Sequence, residues 1–119
     1  MKKSTVTLYR DIAMSISQRS TIRHQVGCVL SDGFGRSHVT AFNRYLGDPN
    51  GAGWSMHAEV WAIVKANVLG VPVTNAFIAR STHRLARPCP KCMAALASHG
   101  IKIVHYTTAP REWATEGIG

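Results

Sequence analysis

Apolar and polar positions change period several times along the chain, and each change marks an element. In "STVTLYRDIAMSISQR", Leu8, Ile12 and Ile16 recur every fourth residue with Ser4 placed to cap, which predicts an amphipathic helix. "QVGCVLS" is a compact β-rich run, "DGFGR" carries turn chemistry, and "SHVTAFN" is extended again, so a hairpin follows the helix. "RYLGDPNGAG" is dense in Gly, Pro, Asn and Asp and predicts a loop. A second helix is expected from His57 to Leu69, stopping at Gly70 with Pro72 beyond it. "VTNAFIARS" predicts a strand, "RPCPKCMAALASHG" a turn entering an Ala-rich helix that Gly100 ends, and "IKIVHYTT" a further strand.

The order αββαβαβ, with each later strand reached through a helix, implies parallel neighbours at that end of the sheet and right-handed crossovers. The fold class expected is α/β, a three-layer sandwich with a mixed sheet of four to five strands covered by helices. "APREWATEGIG" has no clear period and reads equally as an edge strand, a partner contact or a frayed tail. At 119 residues, with no repeat or linker, positions 1–119 are expected to form one domain.

Composition narrows the setting. Hydrophobic residues make up 45%, yet no run approaches a membrane span, and "MKKSTVTLYRDIAMS" lacks a signal-peptide core. A soluble, cytoplasmic protein without a membrane partner is expected. Three cysteines, two of them three apart, argue against a disulfide framework and for a metal or redox pair. A formal net charge of +8 predicts attraction to anions, whether nucleotides, polynucleotides or a membrane surface, and does not choose among them.

The candidate chemistry lies in two short segments. "PCPKC" sets Cys89 and Cys92 where a helix begins, so both sulfurs reach one point where the helix dipole and a bound cation favour thiolate. His57 opens the preceding helix in the same manner, and two such units ending on one edge of a sheet bring their helix N-termini together. One imidazole and two thiolates form the three-ligand set of catalytic zinc, with the fourth position left for water. His24, His38, His83, His99 and His105 are not spaced to pair with them. Glu59 is the only acidic residue between Asp48 and Glu112 and follows His57 by two positions. From there its carboxylate reaches a zinc-activated water from the side and can carry a proton.

"HAE" at 57–59 followed by "PCPKC" at 88–92 resembles the His-x-Glu and Pro-Cys-x-x-Cys signature of the zinc-dependent cytidine/deoxycytidylate deaminase superfamily. The resemblance runs from about Val26 to Tyr106, and its flanks look like the deoxycytidylate and tRNA adenosine deaminase branch. It implies the cytidine deaminase-like fold, Zn2+ held by His57, Cys89 and Cys92, and Glu59 as proton shuttle. It also implies hydrolytic deamination at C4 of cytosine or C6 of adenine, with Glu59 protonating the adjacent ring nitrogen and the departing ammonia. Asn43, in "AFNR", stands where the family has a substrate-contacting asparagine, the Ala58 backbone faces the site, and a homo-oligomer is expected.

Trp54 or Phe42 is placed to offer a stacking face to the base. Arg44 follows Asn43, and Arg80, Arg84, Arg87 and Lys91 crowd the segment that delivers the cysteines. Such cations hold one phosphate or track a strand. The leading expectation is conversion of cytosine to uracil in a free nucleotide or nucleoside, dCMP-like. The alternatives are a polynucleotide deaminase acting on cytosine or adenine in single-stranded DNA, RNA or tRNA, and a non-catalytic zinc module that binds nucleic acid. Glu59 counts against the last, because a carboxylate over a closed structural site serves nothing. Cys28 reads as a small buried hydrophobe.

Overall fold

The computed structural model describes residues 1–22, 24–47, 53–81, 85–109 and 112–118, with the backbone alone at 45–47 and 53–55. Its elements are α1 (Lys3–Ser17), β1 (Val26–Ser31), β2 (His38–Phe42), β3 (Arg44–Gly47), β4 (Gly53–Met56), α2 (Ala58–Leu69), β5 (Asn75–Arg80), α3 (Pro90–Ser98), β6 (Ile103–Ala109) and β7 (Glu112–Gly117). Five strands form one sheet in the order β2-β1-β5-β6-β7, and β3 pairs with β4 in a separate ribbon. Only β5 and β6 run parallel, while β1 lies antiparallel between β2 and β5. The helical crossovers thus yield parallel neighbours once, because β2, the last strand of this sheet before α2, is separated from β5 by β1. The C-terminal segment is an edge strand, β7, antiparallel to β6.

Alternation along the strands divides two cores. Cys28 and Leu30 of β1, Ala76 and Ile78 of β5, and Val104 and Tyr106 of β6 face α2 and α3. Val29, Phe77 and Ala79 face α1, where Tyr9 and Ala13 meet them. One helix below the sheet and two above make the expected three layers. No helix among the described residues is long and apolar enough to cross a membrane.

Two local expectations fail for physical reasons. The buried face of α1 is Tyr9, Ala13 and Ser17, whereas Leu8, at 55% exposure, points outward. Gly27 of β1 decides this: a Cβ there would stand 2.2 Å from the Ala13 carbonyl oxygen and 2.5 Å from the Ser17 nitrogen. The helix backbone rests on the strand at that point, so the helix turns its small residues inward and the Leu8-Ile12-Ile16 stripe is displaced to the side. Ser4 lies inside the helix, whose N-cap is Lys2 with no side-chain cap. The segment 44–53 expected as a loop carries β3 and opens β4, since Arg44–Gly47 and Gly53–Met56 pair in antiparallel register. The intervening Gly/Pro/Asn-rich residues 48–52 lie outside the described residues. Glycine does end α2 as expected, with Gly70 left-handed at φ 67 and the Val71 N–H returning to the Ala66 carbonyl.

His105 of β6 is buried on the α1 face, its ring stacked on Phe77 at 4.4 Å and its Nδ1 accepting from the Thr115 hydroxyl at 3.0 Å. Burial, and secondarily the Arg10 cation, pulls its pKa down to about 4.

Gly27→Ala is expected to cost about 3 kcal/mol or more, because backbone rather than a yielding side chain occupies the space; a denaturation midpoint within error of wild type would contradict this packing. For His105, the folded pKa lies below the unfolded value near 6.5, so the unfolded chain binds the proton first. Stability should therefore fall between about pH 6.5 and pH 4, by up to about 3 kcal/mol. In His105→Gln, chemical denaturation across that window should show a shallower slope.

Candidate active site

The site forms where α2 and α3 begin on the same face of the sheet. His57 is the N-cap of α2, in extended conformation, and its carbonyl accepts the Trp61 N–H. Cys89 is the N-cap of α3, and Pro90 at the first helical position fixes the turn and gives up no hydrogen bond. Cys92 follows one turn later and is buried, its position set by the Met93 N–H returning to the Cys89 carbonyl at 2.8 Å. One ligand atom each from His57, Cys89 and Cys92 falls within 4.8 Å of the others, and His57 Nδ1 is 3.2 Å from Cys92 Sγ. Donors around a tetrahedral zinc stand about 3.5–3.8 Å apart.

The electrostatics fit a cation. Backbone N–H groups at the start of α3, that of Cys92 foremost, hold the Cys89 thiol below its ordinary range. Burial pushes the Cys92 thiol up, and Glu59 adds to that. A buried sulfur with a carboxylate for a neighbour becomes a stable thiolate when a cation sits against it. The set of one imidazole and two thiols matches zinc in donor type, and no fourth His, Cys, Asp or Glu among the described residues joins it.

Glu59 lies in the first turn of α2 and is 6% exposed. Ala58, Ala62 and Ala66 share its buried face, and these short side chains let the helix approach Cys28 and Leu30 of β1 closely. Burial raises the Glu59 pKa above the usual carboxylate range, partly offset by its backbone hydrogen bond, by His57 and by the Cys92 thiol. A group so placed exchanges a proton more readily near neutral pH than a solvated carboxylate does.

These groups open into a cavity of about 370 Å³. His57, Ala58, Glu59 and Cys89 line one part of it, with Asn43 beside them. Asn43 also ties the chain together: its Oδ1 accepts the Val26 N–H at 2.9 Å and its Nδ2 donates to the His24 carbonyl at 2.6 Å. Arg87 lines the wall and is held bidentately by Glu116, Nε to Oε2 and Nη2 to Oε1, both at 2.9 Å, while the Tyr106 hydroxyl donates to Glu116 Oε2 at 2.8 Å. Arg44 does not figure among the described lining residues; its guanidinium lies 5.7 Å over each of the Phe42 and Trp61 rings and so covers a face of Phe42. The side chain of Trp54, and residues 82–84 with Arg84, lie outside the described residues. His24 and Arg80 also line the cavity, joined at 2.8 Å from Arg80 Nη2 to His24 Nδ1. His24 carries no spacing signal, and Glu116 sits in a tail without period, so neither stood out in the sequence.

Residues 3–108 match the family model described as the cytidine and deoxycytidylate deaminase zinc-binding region, and the chain belongs to this family. Among solved structures, the cytidine deaminase from Burkholderia pseudomallei superposes with a TM-score of 0.78 at 16% identity, covering 98% of this chain and 93% of that one. The cytidine deaminase from Mycobacterium tuberculosis gives 0.67 at 18% identity, with 89% and 86% covered. The apo dCMP deaminase from cyanophage S-TIM5 gives 0.64 at 27% identity, with 89% and 84% covered. No curated protein matches the chain.

Glu116 has its pKa pulled down to about 2, first by the hydrogen bond from Arg87. Its stabilising effect is full above the ordinary carboxylate range and vanishes as pH falls through about 2. Glu116→Gln is accordingly expected to melt below wild type at pH 7, with the gap closing toward pH 2; a gap independent of pH would show that the carboxylate charge does not hold Arg87.

Proposed function

We propose that this chain is a zinc-dependent hydrolytic deaminase that converts cytosine to uracil in a free nucleotide or nucleoside and releases ammonia. The observation that carries the reading is the buried Glu59 carboxyl at the wall of a cavity that His57 and Cys89 also line, with Cys92 completing their donor set behind it. Family membership supports the reaction class, and a cavity of this volume suits a small ligand.

Zinc, when bound by His57, Cys89 and Cys92, supplies the Lewis acidity that brings a water close to ionisation at neutral pH. Glu59 takes the proton from that water as it adds to C4 of the ring and passes it to the adjacent ring nitrogen, N3. Glu59 then carries the proton of the new C4 hydroxyl to the amino group, the C4–N bond breaks to release ammonia, and C4 is left as the carbonyl of uracil. Burial serves both transfers, since a raised pKa makes the carboxyl a stronger proton acceptor than a solvated carboxylate while leaving it able to donate. Asn43 and the Ala58 backbone are assigned to orienting the nucleoside, and Arg87 to the wall beside it. The apolar surfaces of Ile22, Val26 and Leu85 exclude water around the ring.

The same reading takes the chain as a single cytoplasmic domain that assembles with copies of itself. Val68 and Leu69, 76% and 67% exposed on the outer face of α2, support the assembly. The net charge of +8 favours a second reading, deamination of cytosine or adenine in a single strand.

The test is ammonia release and product mass from zinc-loaded protein given dCMP, deoxycytidine, and oligonucleotides containing C or A. Turnover of oligonucleotide alone would replace the first reading by the second. Glu59→Gln should keep one zinc per chain while kcat falls by at least about 10²- to 10⁴-fold, and His57→Ala should lose both metal and turnover. Full activity in Glu59→Gln would overturn the mechanism, and zinc binding with no turnover of any substrate would favour a non-catalytic module.

A further inference from the structure

The two arginines that line the cavity stand in opposite electrostatic conditions. Arg87 is matched, because Glu116 accepts from both its Nε and its Nη2. That is the only ion pair among the described residues. Arg80, at the end of β5, forms no ion pair among the described residues: its Nη2 donates to His24 Nδ1, and its Nε is buried without a hydrogen-bond partner among them. A half-buried guanidinium with an unmet donor is costly unless an anion answers it.

The pairing with His24 also prepares a second donor. A guanidinium can only donate, so His24 Nδ1 is the acceptor and Nε2 carries the ring proton. The exposed imidazole thus presents an N–H beside the Arg80 charge. These two side chains share the cavity with His57 and Glu59, and no Phe, Tyr or Trp side chain is among its described lining residues. Grooves that follow a strand alternate cations with stacking aromatics. Here one cation and one N–H donor meet at one place, which suits one compact anion.

We propose that Arg80 and His24 form the subsite for the 5′-phosphate of a nucleoside monophosphate whose base lies against Glu59. The inference rests on the deaminase reading for the position of the base, and it narrows the substrate from nucleoside or nucleotide to nucleotide. A phosphate monoester, dianionic at neutral pH, rewards two convergent donors more than the singly charged diester of a strand does. Arg87, already neutralised by Glu116, serves as wall rather than as phosphate ligand.

Two measurements on the zinc-loaded full chain test this separately from the deaminase reading. Calorimetric titration with inorganic phosphate should show binding that Arg80→Gln loses. The ratio of kcat/KM for dCMP over deoxycytidine should fall by about 10- to 100-fold in Arg80→Gln, the range of a charge-assisted hydrogen bond. His24→Ala, which removes an exposed side chain and does not endanger folding, should lower the same ratio by a smaller factor, whereas Arg87→Gln should leave it unchanged. Phosphate binding without turnover of either compound would overturn the deaminase reading and keep the subsite. Turnover with a ratio that neither Arg80→Gln nor His24→Ala alters would overturn the subsite and keep the deaminase. Exclusive turnover of an oligonucleotide, weakened by Arg80→Gln, would overturn the monophosphate in favour of a strand.

Discussion

Everything at the site depends on how closely α2 can lie on the sheet. Ala58, Ala62 and Ala66 form its inner face, so the helix axis comes near β1 and its first turn sinks into the core. A bulkier stripe would lift the helix and return Glu59 to solvent. With alanines there, the carboxyl is desolvated, and its raised pKa follows from burial before any other influence. The same approach brings the N-terminus of α2 to that of α3, and the three donors converge at the seam.

The opposite face is built on the same kind of contact. Gly27 lets α1 rest its backbone on β1, and Tyr9, Ala13, Val29 and Phe77 close the second core around it. Both helical layers therefore bear on β1, a strand hydrogen-bonded on each side to β2 and β5. A strand so enclosed gives the active face a rigid floor, which suits a reaction in which a carboxyl and a donor set must hold their separation. At the other end of the sheet, β7 performs a different service: Glu116 reaches from the edge strand to Arg87, next to the Pro88-Cys89 turn, and Tyr106 of β6 joins it. The cysteine-bearing segment is thereby tied to the last strand of the fold.

Much of this was legible along the chain because it depends on local chemistry. The helix that begins after His57 and stops at Gly70, the Pro-flanked entry of α3 at Cys89, and the hairpin of β1 and β2 each carry their own signal in cap, turn or alternation. The motif pair at 57–59 and 88–92 was equally plain, since metal ligation demands particular residue types at particular spacings. The Leu8-Ile12-Ile16 stripe misled because a helix turns toward the surface it can approach, and that surface was shaped by a glycine in another element. Strands β3 and β4 were hidden by the Gly/Pro-rich composition between them, which signals a turn but is silent on whether its arms pair.

By itself, then, the sequence determined the helices, the stop of α2 at Gly70, the family, the residues of the donor set and the rarity of Glu59, because each is written in residue types and short spacings within one segment. Tertiary structure alone decided which cation faces a carboxylate and which an imidazole. Arg80 and Arg87 look alike in a basic segment, and only the fold sets one against Glu116 and the other against His24. Those partners lie tens of residues away in sequence, and no periodicity or composition encodes a contact that a sheet order creates.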